Sequence, residues 1–467
     1  MGEVGATSKV GFPSQIKYIV GNEACERFSF YGMRSILVIY MIQYLSMAQS
    51  DAKSVYHLFV SANYFLPLLG AYLADRYWGK YRTIMRLSMV YCLGHAAIAF
   101  YDSKYGLFLG LSLIALGAGG IKPCVSANVG DQFSKANEHL LKKVFDWFYF
   151  SVNFGAFFSS LLIPWMLPKF GPSWAFGIPG ILMAIATYVF WWGRRQYVMV
   201  PPSGSANSTE FFPIVAYSVV NLGKREKGRN WLDVAKMKFG VEKVENVKAA
   251  LSILKVFLVV SIFWALFDQQ GSTWTLQAKQ MNLDLWGMKL EASQIQSLNP
   301  ILVLMLIPIF SGWLYPWIER KGISVTPLRK MATGMALAGF SFVFVAVCQI
   351  ALDHGYQISV AWQTIPYVII TASEIMISIT GLEFAYTQAP KPMKSTLQSF
   401  WLLTIALGNF LTAFISHLNR FQGAFEFFFY ATLMFAVTGI FIRVAMKYQV
   451  RDYVETTFGA PEPAPAT

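Results

Sequence analysis

The sequence predicts an all-α integral membrane protein whose twelve transmembrane helices form two six-helix bundles. Hydrophobic residues make up 55% and charged residues only 13% of the 467 positions, and the mean hydropathy is +0.45. A soluble domain carries about a quarter charged residues. Apolar stretches of about 20 residues, the length that crosses a bilayer, recur along the chain. A basic polar segment separates them into two sets of six.

The predicted spans fall in two groups around this polar segment. The first six lie near residues 16–46, 54–75, 83–101, 105–129, 144–167 and 174–193. The last six lie near residues 251–278, 293–318, 328–352, 361–386, 396–418 and 425–447. The predicted parts are an N-terminal bundle over 1–193, a cytoplasmic linker over 194–250, a C-terminal bundle over 251–450 and a disordered cytoplasmic tail over 451–467.

Lysine and arginine set the predicted orientation. With a cytoplasmic N-terminus, the inner loops contain the linker and the runs DRYWGKYR, KANEHLLKK, ERKGISVTPLRK and PKPMK. The basic residues left for the outer loops are Lys53, Lys104, Lys169, Lys279, Lys289 and Arg420. The positive-inside rule therefore favours two cytoplasmic termini and a multi-pass protein of the plasma membrane or bacterial inner membrane. The net charge of +13 then reflects topology rather than a nucleic-acid partner.

The first predicted span, which includes NEACERFSFYGMRSILVIYM (22–41), carries charges that lipid disfavours. At 100° per residue, one face about 140° wide holds Glu23, Glu26, Arg27, Phe30, Tyr31 and Arg34. A buried charge without a partner costs at least several kcal/mol, so this face predicts a polar interior with partners. Glu23 and Arg27 can pair at i,i+4. The alternative is a static salt-bridge network that only holds helices together.

Other predicted spans also contain polar groups. These are His57, Ser61 and Tyr64 on one face of the second span, Lys122 in the fourth, Asn153 in the fifth, Asp268 in the seventh, Asn299 in the eighth, and Glu374 and Ser378 in the tenth. Lys122 follows a glycine-rich stretch and precedes Pro123, and a lysine at that depth requires an anion. His57 is interpreted either as a proton relay or as a hydrogen-bonded structural residue.

The charges of the two halves differ in sign. Arg27, Arg34 and Lys122 are positive in the first half, and Asp268 and Glu374 are negative in the second. A cleft between the halves would suit a zwitterion, with its carboxylate at the cations and its ammonium at Glu374. The planar guanidinium of Arg34 can bind a carboxylate bidentately. Aromatic residues that either line side-chain pockets or pack in the core are Tyr31, Tyr64, Trp264 and Trp401.

These motifs together resemble one family. E-x-x-E-R-F (23–28) and Y-G-M-R (31–34) are similar to the first-helix signature of the proton-dependent oligopeptide transporters, a family of the major facilitator superfamily. GAYLADRYWGKYR (70–82) resembles that superfamily's loop motif. Further runs that resemble the family are YHLF (56–59), GGIKPCVSANVGDQF (119–133), FYFSVNFGAF (148–157), FWALFDQQGSTWTLQA (263–278) and SITGLEFAYTQAPKPMKSTLQSFWLL (378–403).

The resemblance implies the major facilitator fold and alternating access. It implies proton-driven uptake of di- and tripeptides, with protons as the coupling ion and no cofactor. A monomer in the lipid bilayer is expected, since that is the superfamily default. The implied proton-coupling residues are Glu23, Glu26, Arg27, His57, Glu374 and Asp268. Arg27 would hold the two acids of the first span, and Asp268 would be a gate partner of Arg34 or a further proton site.

The same resemblance implies a peptide-binding set. Arg34 and Lys122 would take the carboxyl end of the peptide. Glu374, Asn153 and Asn299 would take its amino end and backbone. The remaining members of the set are Tyr31, Tyr64, Ser378, Trp264 and Trp401. Without a peptide, Glu374 is expected to pair with Lys122, and a peptide ammonium or a proton would compete for that carboxylate.

Three features depart from the family pattern. Phe30 stands where the motif usually has tyrosine, which removes one hydroxyl. The outer loop between the ninth and tenth spans is only about DHGYQISV, so the extracellular domain of animal members is not expected. Ser311 occupies a position that is acidic in animal members.

Three alternatives remain open at the level of sequence. A relative that moves nitrate or another small anion would use Arg34 and Lys122 but leave Glu374 without a role. A nutrient receptor could keep the fold without net transport. A membrane enzyme is disfavoured, because the sequence has no evident nucleophile–base pair, HExxH motif or Cys/His metal-ligand spacing.

Overall fold

The computed structural model describes residues 12–134, 137, 140–202, 211–224, 228–285, 287–390 and 393–448. The predicted tail over 451–467 lies outside the described residues. The described chain is dominated by helices, as the apolar spans predict. A short antiparallel hairpin between β1 (Asp284–Leu285) and β2 (Met288–Lys289) was not predicted.

The first half of the chain forms long helices with short connections. They are α1 (Ile16–Gln43), α2 (Gln49–Phe65), α3 (Pro67–Leu73), α4 (Gly79–Phe100), α5 (Lys104–Asp131), α6 (Leu141–Phe170) and α7 (Pro172–Trp192). A π-helical turn, Ala74–Trp78, joins α3 to the region of α4. Gly79 has φ of +72°, a left-handed conformation that glycine adopts without strain, and it lies in the run that resembles the superfamily's loop motif.

The linker and the second half of the chain contain both long and short helices. They are α8 (Phe211–Val220), α9 (Lys236–Phe239), α10 (Val241–Phe267), α11 (Thr273–Gln280), α12 (Leu298–Ile309), α13 (Tyr315–Arg320), α14 (Pro327–Asp353), α15 (Thr364–Glu374), α16 (Thr380–Thr387), α17 (Lys394–Leu418) and α18 (Gly423–Lys447). Short 3₁₀ segments include Trp231–Ala235, Asp268–Gly271, Ala292–Ser297 and Val360–Gln363. Five-residue π-helical turns occur at Phe310–Leu314 and Ile375–Ile379.

Hydropathy and length identify ten membrane-spanning stretches among the described residues. The stretch Gln49–Phe100 contains two predicted spans, because the chain passes through Gly79 without leaving helical structure. The helix α1 is not among the ten stretches, although it is 28 residues long. Each of the twelve predicted spans is mostly helical, and the all-α membrane architecture is confirmed.

The contacts divide the chain into two compact units. Unit 1 is Met1–Ala206, Gln270–Met305 and Ser359–Ala361, and unit 2 is Asn207–Gln269, Leu306–Ile358 and Trp362–Thr467. Within unit 1, α1 packs against α6 and α7, and α4 packs against α5 and α7. Within unit 2, α10 packs against α17, and α14 packs against α15 and α18.

The helix α1 is buried on more than its charged face. Met33, at the edge of the charged face, is fully buried, and Gly32, on the opposite side, faces Ile163 and Ser159 of α6. The charged side chains of α1 are therefore inside unit 1 because helices cover this segment on both sides. This packing removes the conflict between a charged sequence and a membrane-length helix.

Candidate functional site

Two carboxylates and one guanidinium meet on α1. Arg27 donates from Nε to Glu23 Oε1 at 2.7 Å, and Glu26 Oε2 lies 2.9 Å from the same nitrogen. Glu23 and Glu26 are both buried. The oxygens of Glu26 accept no hydrogen bond from the described residues, so its contact with Arg27 is purely ionic. The predicted pairing of Glu23 with Arg27 is present. Of the two acids, Glu26 is the one whose carboxylate accepts no hydrogen bond from the described residues.

The ammonium of Lys122 in α5 is buried over aromatic rings. Its Nζ lies 4.6 Å from the ring centre of Phe30 and 4.4 Å from that of Tyr64. Among the described residues, this nitrogen has no hydrogen-bond partner. Aromatic faces attract a desolvated cation, but they leave its three N–H donors unused. Phe30 is thus a cation–π partner at the position where the family motif usually has tyrosine.

Arg34 makes a contact that the sequence did not reveal. Its Nε donates to the hydroxyl of Tyr56 at 2.6 Å, and the guanidinium carbon lies 5.4 Å from the centre of that ring. Arg34 and Tyr56 are both buried. Gly271 permits this arrangement, because a Cβ atom at that position would overlap the Tyr56 hydroxyl. The phenol therefore fixes the direction of the guanidinium of Arg34.

His57 in α2 has a partner far away in the sequence. Its Nε2 lies 2.8 Å from the Oγ of Ser272, which immediately precedes α11, and both residues are completely buried. The ring of Tyr56 packs edge-on against the imidazole, with ring centres 5.0 Å apart. The turn that carries Gly271 and Ser272 therefore contacts both Tyr56 and His57.

Three other predicted site residues of unit 1 lie in the helices α1, α6 and α12. Asn153 in α6 donates its amide to the carbonyl of Tyr149, one turn earlier, and is buried. Tyr31 in α1 packs edge-on against Phe30, with ring centres 5.5 Å apart. Asn299 is the second residue of α12 and is half-buried.

In unit 2, Asp268 is buried at the point where the seventh predicted span is interrupted. It follows the last residue of α10 and begins a 3₁₀ turn, so the span predicted over 251–278 is not one continuous helix. Its Oδ2 accepts a hydrogen bond of 2.6 Å from the amide of Asn409 in α17. Asn409 was not predicted, and the link crosses 141 sequence positions.

The other predicted residues of unit 2 lie on three helical segments. Glu374 is the last residue of α15, and Ser378 lies within the π-helical turn that follows; both are half-buried. Such turns often occur at functional sites. Trp264 and Trp401 are buried and pack edge-to-face with ring centres 6.4 Å apart, an arrangement typical of core packing.

The site residues of unit 1 are joined in two ways. Glu23, Glu26 and Arg27 meet along α1, whereas Arg34 and His57 contact residues of other segments. The partners that sequence reasoning missed are Tyr56, Gly271, Ser272 and Asn409. The one available signal was proximity of Tyr56 to His57 in the YHLF run; the others depend on contacts over long sequence distances.

Comparisons with known proteins give one family. Residues 81–424 match the sequence profile PTR2, which describes the POT family. Human solute carrier family 15 member 2 is 40% identical over 363 residues, which cover 73% of this chain and 50% of that protein. The chain therefore spans about half the length of the mammalian relatives it matches.

Solved structures agree over nearly the whole chain. A crystal structure of an auto-inhibited POT family peptide transporter is 40% identical, with a TM-score of 0.87, and covers 95% of this chain and 98% of the other. A crystal structure of a proton-dependent oligopeptide (POT) family transporter is also 40% identical, with a TM-score of 0.75, and covers 91% of this chain and 100% of the other. The predicted major facilitator fold is confirmed.

Proposed function

This chain belongs to the POT family, and we propose that it is a proton-coupled symporter that imports di- and tripeptides by alternating access. The observation that carries the proposal is the buried cluster of Glu23, Glu26 and Arg27, near which the ammonium of Lys122 is buried without a hydrogen-bond acceptor among the described residues. A structural salt bridge needs one acid and one base. A second acid beside the same guanidinium provides a place for an exchangeable proton.

The proton is proposed to bind Glu26. Arg27 donates its Nε hydrogen to Glu23, so these two residues form a hydrogen-bonded ion pair. Glu26 has the same guanidinium nearby but accepts no hydrogen bond from the described residues. Protonating Glu26 leaves one carboxylate for one guanidinium, a neutral pair that is cheaper to bury than the anionic cluster.

The peptide carboxylate is proposed to bind Arg34 and Lys122. Lys122 has no hydrogen-bond partner among the described residues, and Arg34, whose Nε donates to Tyr56, carries a planar guanidinium that can bind a carboxylate bidentately. Glu374 is proposed to take the peptide ammonium, and Asn153 and Asn299 the backbone. The further proposed contacts of the peptide are Tyr31, Tyr64, Ser378, Trp264 and Trp401, and the further proposed proton sites are His57, Asp268 and Glu374.

The energy available from one proton is sufficient for concentrative uptake. One charge moving through 100 mV supplies about 2.3 kcal/mol. One pH unit adds about 1.4 kcal/mol. The sum, about 3.7 kcal/mol, corresponds to a few-hundredfold accumulation of a neutral substrate. The same proposal includes a monomer in the plasma membrane or bacterial inner membrane with both termini in the cytoplasm, the orientation that the basic loops favour.

Uptake of labelled dialanine by proteoliposomes tests this function. An inwardly directed proton gradient is expected to produce accumulation above the external concentration, which a protonophore abolishes. Vesicles that bind dialanine without accumulating it under any gradient would indicate a receptor. Vesicles that accumulate nitrate but not dialanine would indicate an anion carrier, and both outcomes contradict the proposal.

A further inference from the structure

The linker helix α8 presents an apolar face that the described part of the chain leaves uncovered. At 100° per residue, its buried side chains, Phe211, Ile214 and Ser218, occupy one face. The opposite face consists of Phe212, Pro213, Ala216, Val219 and Val220, all exposed. Phe212 is 63% and Val220 is 83% exposed. A helix that is apolar on both faces requires an apolar environment outside the protein as well as inside it.

The buried face of α8 packs beside the end of a membrane span of unit 2. Phe211 packs on Phe400 of α17 with ring centres 5.2 Å apart. Phe400 lies six residues into α17, about 9 Å from its first residue, and inside the apolar stretch Thr396–Leu418. The helix α8 therefore lies at the depth where the hydrocarbon of the bilayer gives way to lipid headgroups.

Lysines flank the uncovered face. The ammonium of Lys238 lies 4.5 Å from the ring centre of Tyr217 in α8, and Lys238 is exposed. Lys224 is exposed at the end of the short turn that follows α8. The neighbouring Lys236 is different, because its ammonium pairs with Asp233 at 2.8 Å and with Glu245 at 2.9 Å. Lys224 and Lys238 are thus positive charges next to an apolar helix at the level of the headgroups.

We propose that α8 is an interfacial helix that binds anionic phospholipid in the leaflet at this end of unit 2. Phe212, Val219 and Val220 insert among the first carbons of the acyl chains, and Lys224 and Lys238 bind headgroup phosphates. Apolar burial together with electrostatic attraction is how such helices hold a membrane surface. Under the proposed topology this leaflet is the cytoplasmic one. Only the choice of leaflet rests on the proposed topology.

Insertion is tested with a fluorescent label in the full-length chain. In a background that lacks Cys25, Cys92, Cys124 and Cys348, the dye NBD is attached to Phe212→Cys or to Glu242→Cys, an exposed position at the start of α10. In phospholipid nanodiscs, the label at 212 is expected to be blue-shifted and quenched by nitroxide-bearing lipids. The label at 242 is expected to be quenched by aqueous iodide. Equal iodide quenching at both positions would overturn the insertion of α8.

Lipid charge is tested by thermal unfolding in two kinds of nanodisc. Adding phosphatidylglycerol to phosphatidylcholine is expected to raise the unfolding midpoint of the natural chain by several degrees. The variant Lys224→Glu/Lys238→Glu should lose this rise. The matched control is Lys321→Glu/Lys330→Glu, since those lysines of unit 2 also lie over aromatic rings, at 4.3 Å from Trp317 and 5.0 Å from Tyr315.

The control variant should keep the full rise. If both double variants lose the rise in unfolding midpoint equally, the effect is general charge attraction and the proposed site is overturned. If Lys224→Glu/Lys238→Glu keeps the rise, these two lysines do not bind headgroups. Neither experiment measures peptide or proton movement. Failure of this proposal is therefore distinct from failure of the proposed transport.

Discussion

His57 Nε2 and Ser272 Oγ lie 2.8 Å apart, which joins α2 to the turn before α11. The two residues are separated by 215 positions in the sequence. Both are fully buried, so neither water nor a mobile side chain easily replaces this hydrogen bond. The contact makes Ser272 a positioning residue for the imidazole and connects the proposed proton site to a segment that also contacts Tyr56.

Replacing Ser272 by alanine is expected to change the pH dependence of uptake. A hydrogen bond to a group that becomes charged contributes about 1.5–3 kcal/mol, which corresponds to a displacement on the order of one pH unit. The pH profile of dialanine uptake by Ser272→Ala proteoliposomes measures this. Ser261→Ala is the control, because that hydroxyl donates to the carbonyl of Phe257 in its own helix. A Ser272→Ala profile that coincides with that of the control would reduce His57 to a structural residue.

The two acids beside Arg27 are expected to respond differently to amide substitution. Glu26→Gln removes the proposed exchangeable proton, so gradient-driven accumulation of dialanine should disappear while exchange of labelled for unlabelled dialanine continues. Glu23→Gln instead disrupts the hydrogen bond of 2.7 Å from Arg27 and should weaken both activities. Accumulation and counterflow are compared in the same vesicle preparations. Persistence of accumulation in Glu26→Gln would assign the coupling proton elsewhere.

The phenol of Tyr56 is expected to matter for affinity through Arg34. Tyr56→Phe removes the acceptor of the 2.6 Å hydrogen bond, which takes away one contact that orients the guanidinium, and should raise the KM for dialanine about tenfold. Arg34→Lys should raise it further, since lysine lacks the bidentate fork. Tyr44→Phe, whose hydroxyl donates to the carbonyl of Leu167, is the control and should leave KM unchanged. Equal KM values for the natural chain and the three variants would contradict a role of the Arg34 guanidinium geometry in peptide affinity.

The linker contains an ion network whose contribution depends on pH. Hydrogen bonds from Lys236 and Lys248 lower the pKa of Asp233 to about 2. The resulting stability is fully present above the ordinary value near 3.8 and is lost as pH falls through about 2. Asp233→Asn should therefore unfold a few degrees below the natural chain from pH 7 down to pH 4, with the gap closing at lower pH.

Thermal unfolding in detergent over this pH range checks the network. Glu242→Gln changes an exposed acid of the same region and should follow the natural chain throughout. A gap between Asp233→Asn and the natural chain that is already closed at pH 5 would contradict the depressed pKa of Asp233.

Membrane helices were predictable because bilayer thickness fixes their length. The spans predicted near 105–129 and 328–352 differ from α5 and α14 by only a residue or two at each end. The periodicity of the charged residues predicted the buried face of α1. This helix carries too many charges to be recognised as a membrane span from its hydropathy. The break at Asp268 falls inside the predicted span over 251–278, at the polar run DQQGST, where the backbone changes from α-helix to a 3₁₀ turn. Span length and mean hydropathy do not locate such a break, because the apolar residues on both sides carry the stretch across it.

The site was predictable in its residue types but not in its pairings. Glu23 and Arg27 are four residues apart, so helix geometry alone predicts their contact. The partners of Arg34, His57 and Asp268 come from other helices, and only folding brings them together. Residues such as Tyr56 and Asn409 are individually unremarkable in a membrane helix, and nothing in a single sequence distinguishes them from core residues.

The movement of protons with the peptide tests the central claim most directly. Purified protein is reconstituted into vesicles that contain the pH-sensitive dye pyranine, with equal pH on both sides and the membrane potential clamped to zero. Adding dialanine outside is expected to acidify the interior, at a rate that follows dialanine entry and that Glu26→Gln abolishes. Dialanine entry with no change of internal pH would contradict proton-coupled transport by this chain.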